Sequence, residues 1–175
     1  VLGTKMKDVN NYISELKNKN VCEVANDNAE GQIIVSGNTE AVEELKDILK
    51  KNKKKSILLP VSAPFHCSLM NPAANKMKEK IDNTNFRQPD FEIISNVTSL
   101  PTNNPENIKN LLVQQICSKV RWRESMLLIN NKKVDDFIEI GPGKVLTGLI
   151  KRILPNSNSF SINTIDDIKN LINES

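Results

Sequence analysis

The chain has 175 residues, 38% of them hydrophobic and 26% charged, the balance of an ordinary globular protein with room for a sizeable core. Its 24 Lys and Arg against 21 Asp and Glu leave a net charge of only +3, too weak and dispersed for a nucleic-acid binder, and one Trp and one Tyr make no base-stacking surface. Cys22, Cys67 and Cys117 stand far apart with no CxxC pair or Cys/His cluster, which argues against a disulfide scaffold or a metal site and suits a reducing compartment. No run approaches the length of a membrane span, and no signal-peptide pattern is present. The opening Val1-Leu2-Gly3, without Met, reads as a segment that begins within a strand.

In chain order, Val1-Leu2 reads as the tail of a strand. Val9, Tyr12, Ile13 and Leu16 recur at helical spacing and predict an amphipathic helix over 5–19. A short strand over 21–25 and a polar turn over 26–31 follow, then the β-branched strand 32–36. Asn38 is placed to cap a helix whose stripe is Val42, Leu45, Ile48 and Leu49, and whose end runs into the lysines Lys50, Lys51, Lys53, Lys54 and Lys55. Residues 56–61 complete the β-α-β-β-α-β order of a ferredoxin-like subdomain, 1–61. Over 62–175, helices are expected at 70–83 (Ala73, Met77 and Ile81 inward), from Pro105, after Trp122, from Val145 (with Leu146, Leu149, Ile150 and Ile153) and from Asp166. Strands are expected at 91–95, 134–140 and 160–162, and strands alternating with helices imply parallel pairing in an α/β layer.

His66 is the only histidine, set where the apolar run Leu58-Leu59-Pro60-Val61 gives way to a loop stiffened by Pro64. Imidazole carries protons near neutral pH, so a lone histidine on a stiff loop is a candidate general base as well as a candidate structural residue. Such a base needs a nucleophile in reach and an orienting group on its other nitrogen. Cys67, its neighbour, should point away in an extended loop, Cys117 could approach only through the fold, and no GxSxG elbow occurs. Gly141-Pro142-Gly143-Lys144 sits between a strand and a helix, where N–H groups can cradle an anion, but lacks the spacing of a phosphate loop and reads first as a plain turn. The lysine run reads as a solvated helix end able to steer an acidic partner.

Val61-Ser62-Ala63-Pro64-Phe65-His66, Leu69-Met70-x-Pro72-Ala73-Ala74, Ser95-Asn96-Val97, Val113-Gln114-Gln115-Ile116, Val120-Arg121-Trp122 and the stretch Glu139 to Leu149 together resemble the malonyl-CoA:acyl carrier protein transacylase family. Asn28-Ala29-Glu30-Gly31-Gln32 is similar to the start of that family's ferredoxin-like insert. The resemblance implies an α/β protein: a ferredoxin-like subdomain, 1–61, followed over 62–175 by the C-terminal part of an α/β-hydrolase-like acyltransferase core. It implies a ping-pong acyl transfer of type II fatty acid synthesis, malonyl passing from malonyl-CoA to a serine and then to the phosphopantetheine thiol of acyl carrier protein, with no cofactor or metal.

On the same resemblance His66 is the base and the backbone carbonyl of Gln115 orients its ring. Phe65 selects malonyl by volume, Asn28 lies at the mouth of the substrate cleft, and Lys50, Lys51, Lys53, Lys54 and Lys55 would meet the carrier protein. The family's serine elbow, oxyanion hole and malonate-binding arginine all precede the insert, so the chain is expected to be a C-terminal portion, inactive alone and prone to associate. Its compartment would be the cytoplasm or the stroma of an organelle such as a plastid. The rival from another class is a non-catalytic ferredoxin-like module that docks an acidic protein through the lysine run.

Overall fold

The structure, a computed structural model, describes residues 1–173, and its contacts divide the chain into two units that meet between Ser125 and Met126. The first is built on an antiparallel hairpin of β1 (Cys22–Ala29) and β2 (Gln32–Gly37). Glu30 and Gly31 form its two-residue loop; Gly31 takes φ +69° and its backbone lies against Gly3, so a side chain fits there in neither respect. Leu2 bridges antiparallel to Gln32 on one side and to Lys55 on the other, so the lateral order is Lys55, Leu2, β2, β1.

Helices α1 (Met6–Ser14) and α2 (Thr39–Lys51) supply the apolar faces for this sheet. Ala41, Leu45 and Leu49 form a buried cluster with Cys22, covered by Tyr12, Ile13 and Leu16 from the first helical stretch. Each leucine so buried contributes about 2 kcal/mol, which makes this stripe the main reason the helices stay on the sheet. At the junction of β2 and α2 the backbone of Gly37 packs so tightly on Val21 that a Cβ would run into the Val21 carbonyl oxygen.

Several expectations for this stretch need correction. Helix α1 ends at Ser14 rather than near 19: the backbone N–H of Lys17 goes to the Glu44 carboxylate instead of to a helical carbonyl, and the side-chain amide of Asn18 donates to the same carboxylate. Strand β1 runs on through Asn26–Ala29, read above as a turn; two register shifts absorb its polar residues, and buried Asp27 is neutralised by Arg123. Asn38 precedes α2 but does not cap it, since its Oδ1 accepts from Val21 N–H. Residues 56–61 form no strand: beyond Lys55 the run finds no ladder partner among the described residues, and Ile57, Leu58, Leu59 and Val61 are all exposed.

Further along the unit come a 3-10 turn (Ser68–Met70), α3 (Asn71–Asp82), β3 (Ile93–Ile94), β4 (Pro101–Thr102) and α4 (Pro105–Gln115). Helix α3 packs on α4 and buries Ala74 and Ile81, while Met77, expected inside, is exposed. The strand expected at 91–95 shrinks to Ile93–Ile94, paired antiparallel with β4, and Phe91 stands in solvent at 84% exposure. Asn104 caps α4 through a 2.9 Å bond from Asn107 N–H, with Pro105 in the first turn.

Helix α5 (Trp122–Asn131) crosses the division between the units. The second unit then holds β5 (Asp136–Ile140), α6 (Val145–Ile153), β6 (Asn158–Ile162) and α7 (Ile165–Asn173). β5 and β6 pair parallel in unbroken register, from Asp136 opposite Asn158 to Ile140 opposite Ile162. Parallel pairing is confined to this pair of strands among the named sheets, because in the first unit the strands are joined by tight turns. Thr147, Leu149 and Ile150 are the buried face of α6, whereas Val145 and Leu146 are exposed. No described helix is long and apolar enough to cross a membrane.

Candidate active site

His66 is built into the backbone before its ring does anything. Its φ of +60° is left-handed, a conformation that costs a non-glycine residue about 1–3 kcal/mol and persists only where neighbours enforce it. Those neighbours are local. The Phe65 N–H bonds to the Ala63 carbonyl at 3.0 Å, the Cys67 thiol donates to the Pro64 carbonyl at 3.1 Å, and the Met70 N–H reaches the Cys67 carbonyl at 3.0 Å. Cys67 is fully buried under this knot while His66 itself is half-buried, so the loop is anchored by its cysteine and offers its histidine.

The ring is oriented by the end of a helix. Helix α4 stops at Gln115, whose carbonyl is among the last four that no helical N–H can reach. His66 Nδ1 lies 3.0 Å from that oxygen. A carbonyl oxygen can only accept, so Nδ1 carries the proton and Nε2 is left with its lone pair, the state a general base requires. Gln115 is itself held, because the Asn96 amide donates to its Oε1 at 3.2 Å and the Asn96 carbonyl accepts from Arg121 N–H at 2.9 Å.

A second tie reaches the loop from β1. Glu23 receives the Ser68 hydroxyl at 2.6 Å and the Ser68 N–H at 2.9 Å, two residues beyond the histidine. The cysteines have no comparable arrangement. Burial, followed by the charges of Cys67 and Glu23, pushes the Cys22 thiol up to about 11, so it stays protonated and unreactive. Among the described residues no group of His, Cys, Asp and Glu could hold a metal ion.

The other predicted residues fall in different places. Phe65 precedes His66 and is 48% exposed. Asn28 sits half-buried near the hairpin loop, five residues along β1 from Glu23. The lysines cluster where α2 ends: Lys50, Lys51, Lys53 and Lys55 are exposed and Lys54 half-buried. The Gly141–Lys144 turn cradles no outside anion, because the Leu146 and Thr147 N–H groups at the start of α6 are occupied by Glu139 at 3.1 and 2.8 Å. The Thr147 N–H above all, then the Thr147 hydroxyl, holds the Glu139 carboxyl below the usual carboxylate range.

Sequence reasoning missed Glu23, Asn96 and the pair of Asp27 with Arg123, in which Nε and Nη2 of the arginine reach the buried carboxylate at 2.9–3.1 Å. No local signal marked them: each partner lies well away in sequence, and Asp27 falls in the polar stretch 26–31 that reads as a turn.

Comparison with known proteins adds a second line of observation. No family model matches the chain. It is 38% identical over 165 residues to the malonyl CoA-acyl carrier protein transacylase of Bacillus subtilis, covering 94% of this chain and 51% of that protein. With the Escherichia coli K12 protein of the same name it shares 33% identity over 164 residues, 93% of this chain and 53% of the relative. The crystal structure of the acyl-carrier-protein S-malonyltransferase from Bartonella henselae superposes with a TM-score of 0.94 at 40% identity, over 99% of this chain and 56% of that one. A malonyl-transacylase solved in complex with its type II PKS acyl-carrier protein also gives 0.94, at 32% identity, over all of this chain and 57% of the other. The chain spans about half the length of the curated relatives it matches.

Proposed function

The chain belongs to the malonyl CoA-acyl carrier protein transacylase family, and on that premise we propose that it supplies the general base and part of the substrate cleft of a malonyl-transfer enzyme. The observation that carries this reading is the 3.0 Å contact of His66 Nδ1 with the Gln115 carbonyl at the end of α4. The nucleophile would be a serine outside these residues.

In the first half-reaction His66 Nε2 takes the serine proton as the serine oxygen attacks the thioester carbonyl of malonyl-CoA. The tetrahedral intermediate collapses, the carbon–sulfur bond breaks, and the imidazolium returns the proton to the departing thiolate. In the second half His66 takes the proton of the carrier protein's phosphopantetheine thiol, which attacks the seryl ester; the serine leaves and is reprotonated. Gln115 does for the ring what Asp does in the usual triad, through a neutral oxygen rather than through a full charge.

Phe65, one residue from the base, would restrict the acyl group to malonyl by volume, and Asn28 would stand at the cleft mouth. Residues 1–61 would be the family's ferredoxin-like insert, a reading supported by the lateral order Lys55, Leu2, β2, β1. Residues 62–175 would be the C-terminal part of the α/β-hydrolase-like core. The exposed lysines from Lys50 to Lys55 would meet the acidic carrier protein. The reaction would belong to type II fatty acid synthesis in the cytoplasm or an organelle stroma, where three free cysteines are at home.

In the polypeptide that carries this chain together with its serine, His66→Ala is expected to lower malonyl transfer by about 1,000-fold or more, as loss of the base does in coupled triads. Turnover within tenfold of the parent would remove His66 from the mechanism.

A further inference from the structure

Two attachments define where the His66 ring can be. Gln115 holds the ring itself, and the loop's far side is tied to the sheet by the pair of bonds from Ser68 to Glu23. One carboxylate oxygen takes the Ser68 hydroxyl at 2.6 Å and the other takes the Ser68 N–H at 2.9 Å, so Ser68 is fixed in direction as well as in place. Both bonds are charge-assisted and partly buried, which makes them stronger than neutral ones. Glu23 is rigid in turn: it lies in β1, opposite Ser36 of β2.

The strand gives no reason of its own for a carboxylate at this position. A half-buried acid costs free energy unless it is fully bonded, and an apolar or β-branched residue would suit β1 better. The loop does give a reason. The left-handed backbone of His66 is unfavourable, and with Ser68 released His66 could relax to negative φ, swinging the imidazole off the Gln115 oxygen.

We propose that Glu23 is a positioning residue for the base, locking Ser68 so that His66 keeps its left-handed backbone and its Nδ1–H on Gln115. The role rests on reading His66 as the base, and it gives the hairpin a part in catalysis without touching substrate. A malonyl group or thiol would feel Glu23 only through the fraction of rings that present Nε2 as an acceptor.

His66 is the only histidine in these 175 residues, and in the polypeptide that carries this chain together with its serine its ring nitrogens can be read by long-range 1H–15N correlation as the signals lost in His66→Ala. The parent is expected in the Nδ1–H tautomer. Glu23→Ala is expected to lower the Nδ1–H fraction twofold or more, toward the Nε2–H form that free histidine prefers. Ser68→Ala, which keeps the backbone bond, should give a smaller fall, and Glu23→Gln should restore most of the loss. Glu44→Ala removes a carboxylate that takes a similar pair of bonds, from Lys17 and Asn18, and should leave the tautomer unchanged.

A role confined to capping the helical turn at Ser68 would lower the melting temperature and leave the ring alone. A parental tautomer in folded Glu23→Ala therefore overturns the proposal. Should that variant lose the dispersed resonances of the hairpin, Ser68→Ala decides, and a parental tautomer there overturns it equally. A parent ring already in the Nε2–H form would instead remove the base reading itself, which keeps the two failures apart.

Discussion

Helices α4 and α6 each end at a place the sequence marks as chemically able, and they end differently. At the C-terminus of α4 the Gln115 carbonyl is left over by the helix and taken by an imidazole from 49 residues away. At the N-terminus of α6, after a glycine-rich turn shaped like an anion cradle, the free N–H groups are already filled by Glu139 of the preceding strand. Both ends carry unsatisfied backbone groups and a half-charge of dipole. What separates a candidate site from a sealed joint is whether the chain's own nearest side chain supplies the missing partner. Glu139 lies seven and eight residues from the N–H groups it caps and reaches them through the turn. Among the described residues the Gln115 carbonyl is met instead by a side chain from far away in sequence, the histidine.

Loosening the α4 end should have the largest effect. Asn96→Ala removes the amide that holds Gln115 by its side chain, while the carbonyl itself stays in the chain. If the proposed role of His66 holds, the polypeptide that carries this chain together with its serine should show about a tenfold fall in kcat for malonyl transfer, the equivalent of roughly 1.4 kcal/mol, with KM for malonyl-CoA little changed. A rise in KM at constant kcat would mean that Asn96 shapes the binding cleft rather than the base.

Opening the α6 end should turn the sealed joint into what its sequence resembles. Glu139→Ala frees the Leu146 and Thr147 N–H groups, with an expected fall in Tm of about 3 °C for a lost helix cap. Sulfate should then raise the variant's Tm more than the parent's, because an anion can occupy the vacated end. Equal salt responses would show that the turn cannot hold an anion even when empty. The pH dependence follows from the same bonds. Folding holds the Glu139 carboxyl below its ordinary value of 4.5, so its contribution is present above that pH and is lost as pH falls through the lower folded value. Glu139→Gln should therefore flatten the acid limb of the stability profile below about pH 4.5.

The difference between these ends was only half legible beforehand. Helical periodicity found α2, α3, α4 and α6 to within a few residues, and the isolation of one histidine on a proline-stiffened loop marked His66. The strands were harder: 56–61 and 91–95 have the composition of strands, yet a strand exists only with a ladder partner, and composition does not say whether one is there. Asn26–Ala29 has turn composition and is a strand, because Arg123, almost a hundred residues on, neutralises Asp27. The Glu23 and Asn96 contacts were invisible for the same reason. Each joins residues far apart in sequence, and nothing local requires them.

A third helix end sharpens the comparison with the smallest effect. At the C-terminus of α2 the left-over carbonyls go to the backbone itself: Lys53 N–H reaches Lys50 O at 3.0 Å and Lys54 N–H reaches Leu49 O at 2.8 Å. That closure needs a left-handed residue after the cap, normally glycine, and here it is Lys53 at φ +56°. Lys53→Gly relieves about 1–2 kcal/mol of backbone strain. It gives back roughly 0.5–1 kcal/mol through the greater freedom of glycine in the unfolded chain. Loss of the cation subtracts about 0.3 kcal/mol more, with Lys50, Lys51, Lys54 and Lys55 still at the helix end. The net expectation is a gain of a few tenths of a kcal/mol, measured as a higher urea midpoint at constant slope. If the lysine is kept for the carrier protein, the same variant should use carrier protein less well while its reaction with malonyl-CoA is unchanged. A lower midpoint would mean that the charge at this helix end outweighs the strain, and that a closed joint can still depend on the side chain that closes it.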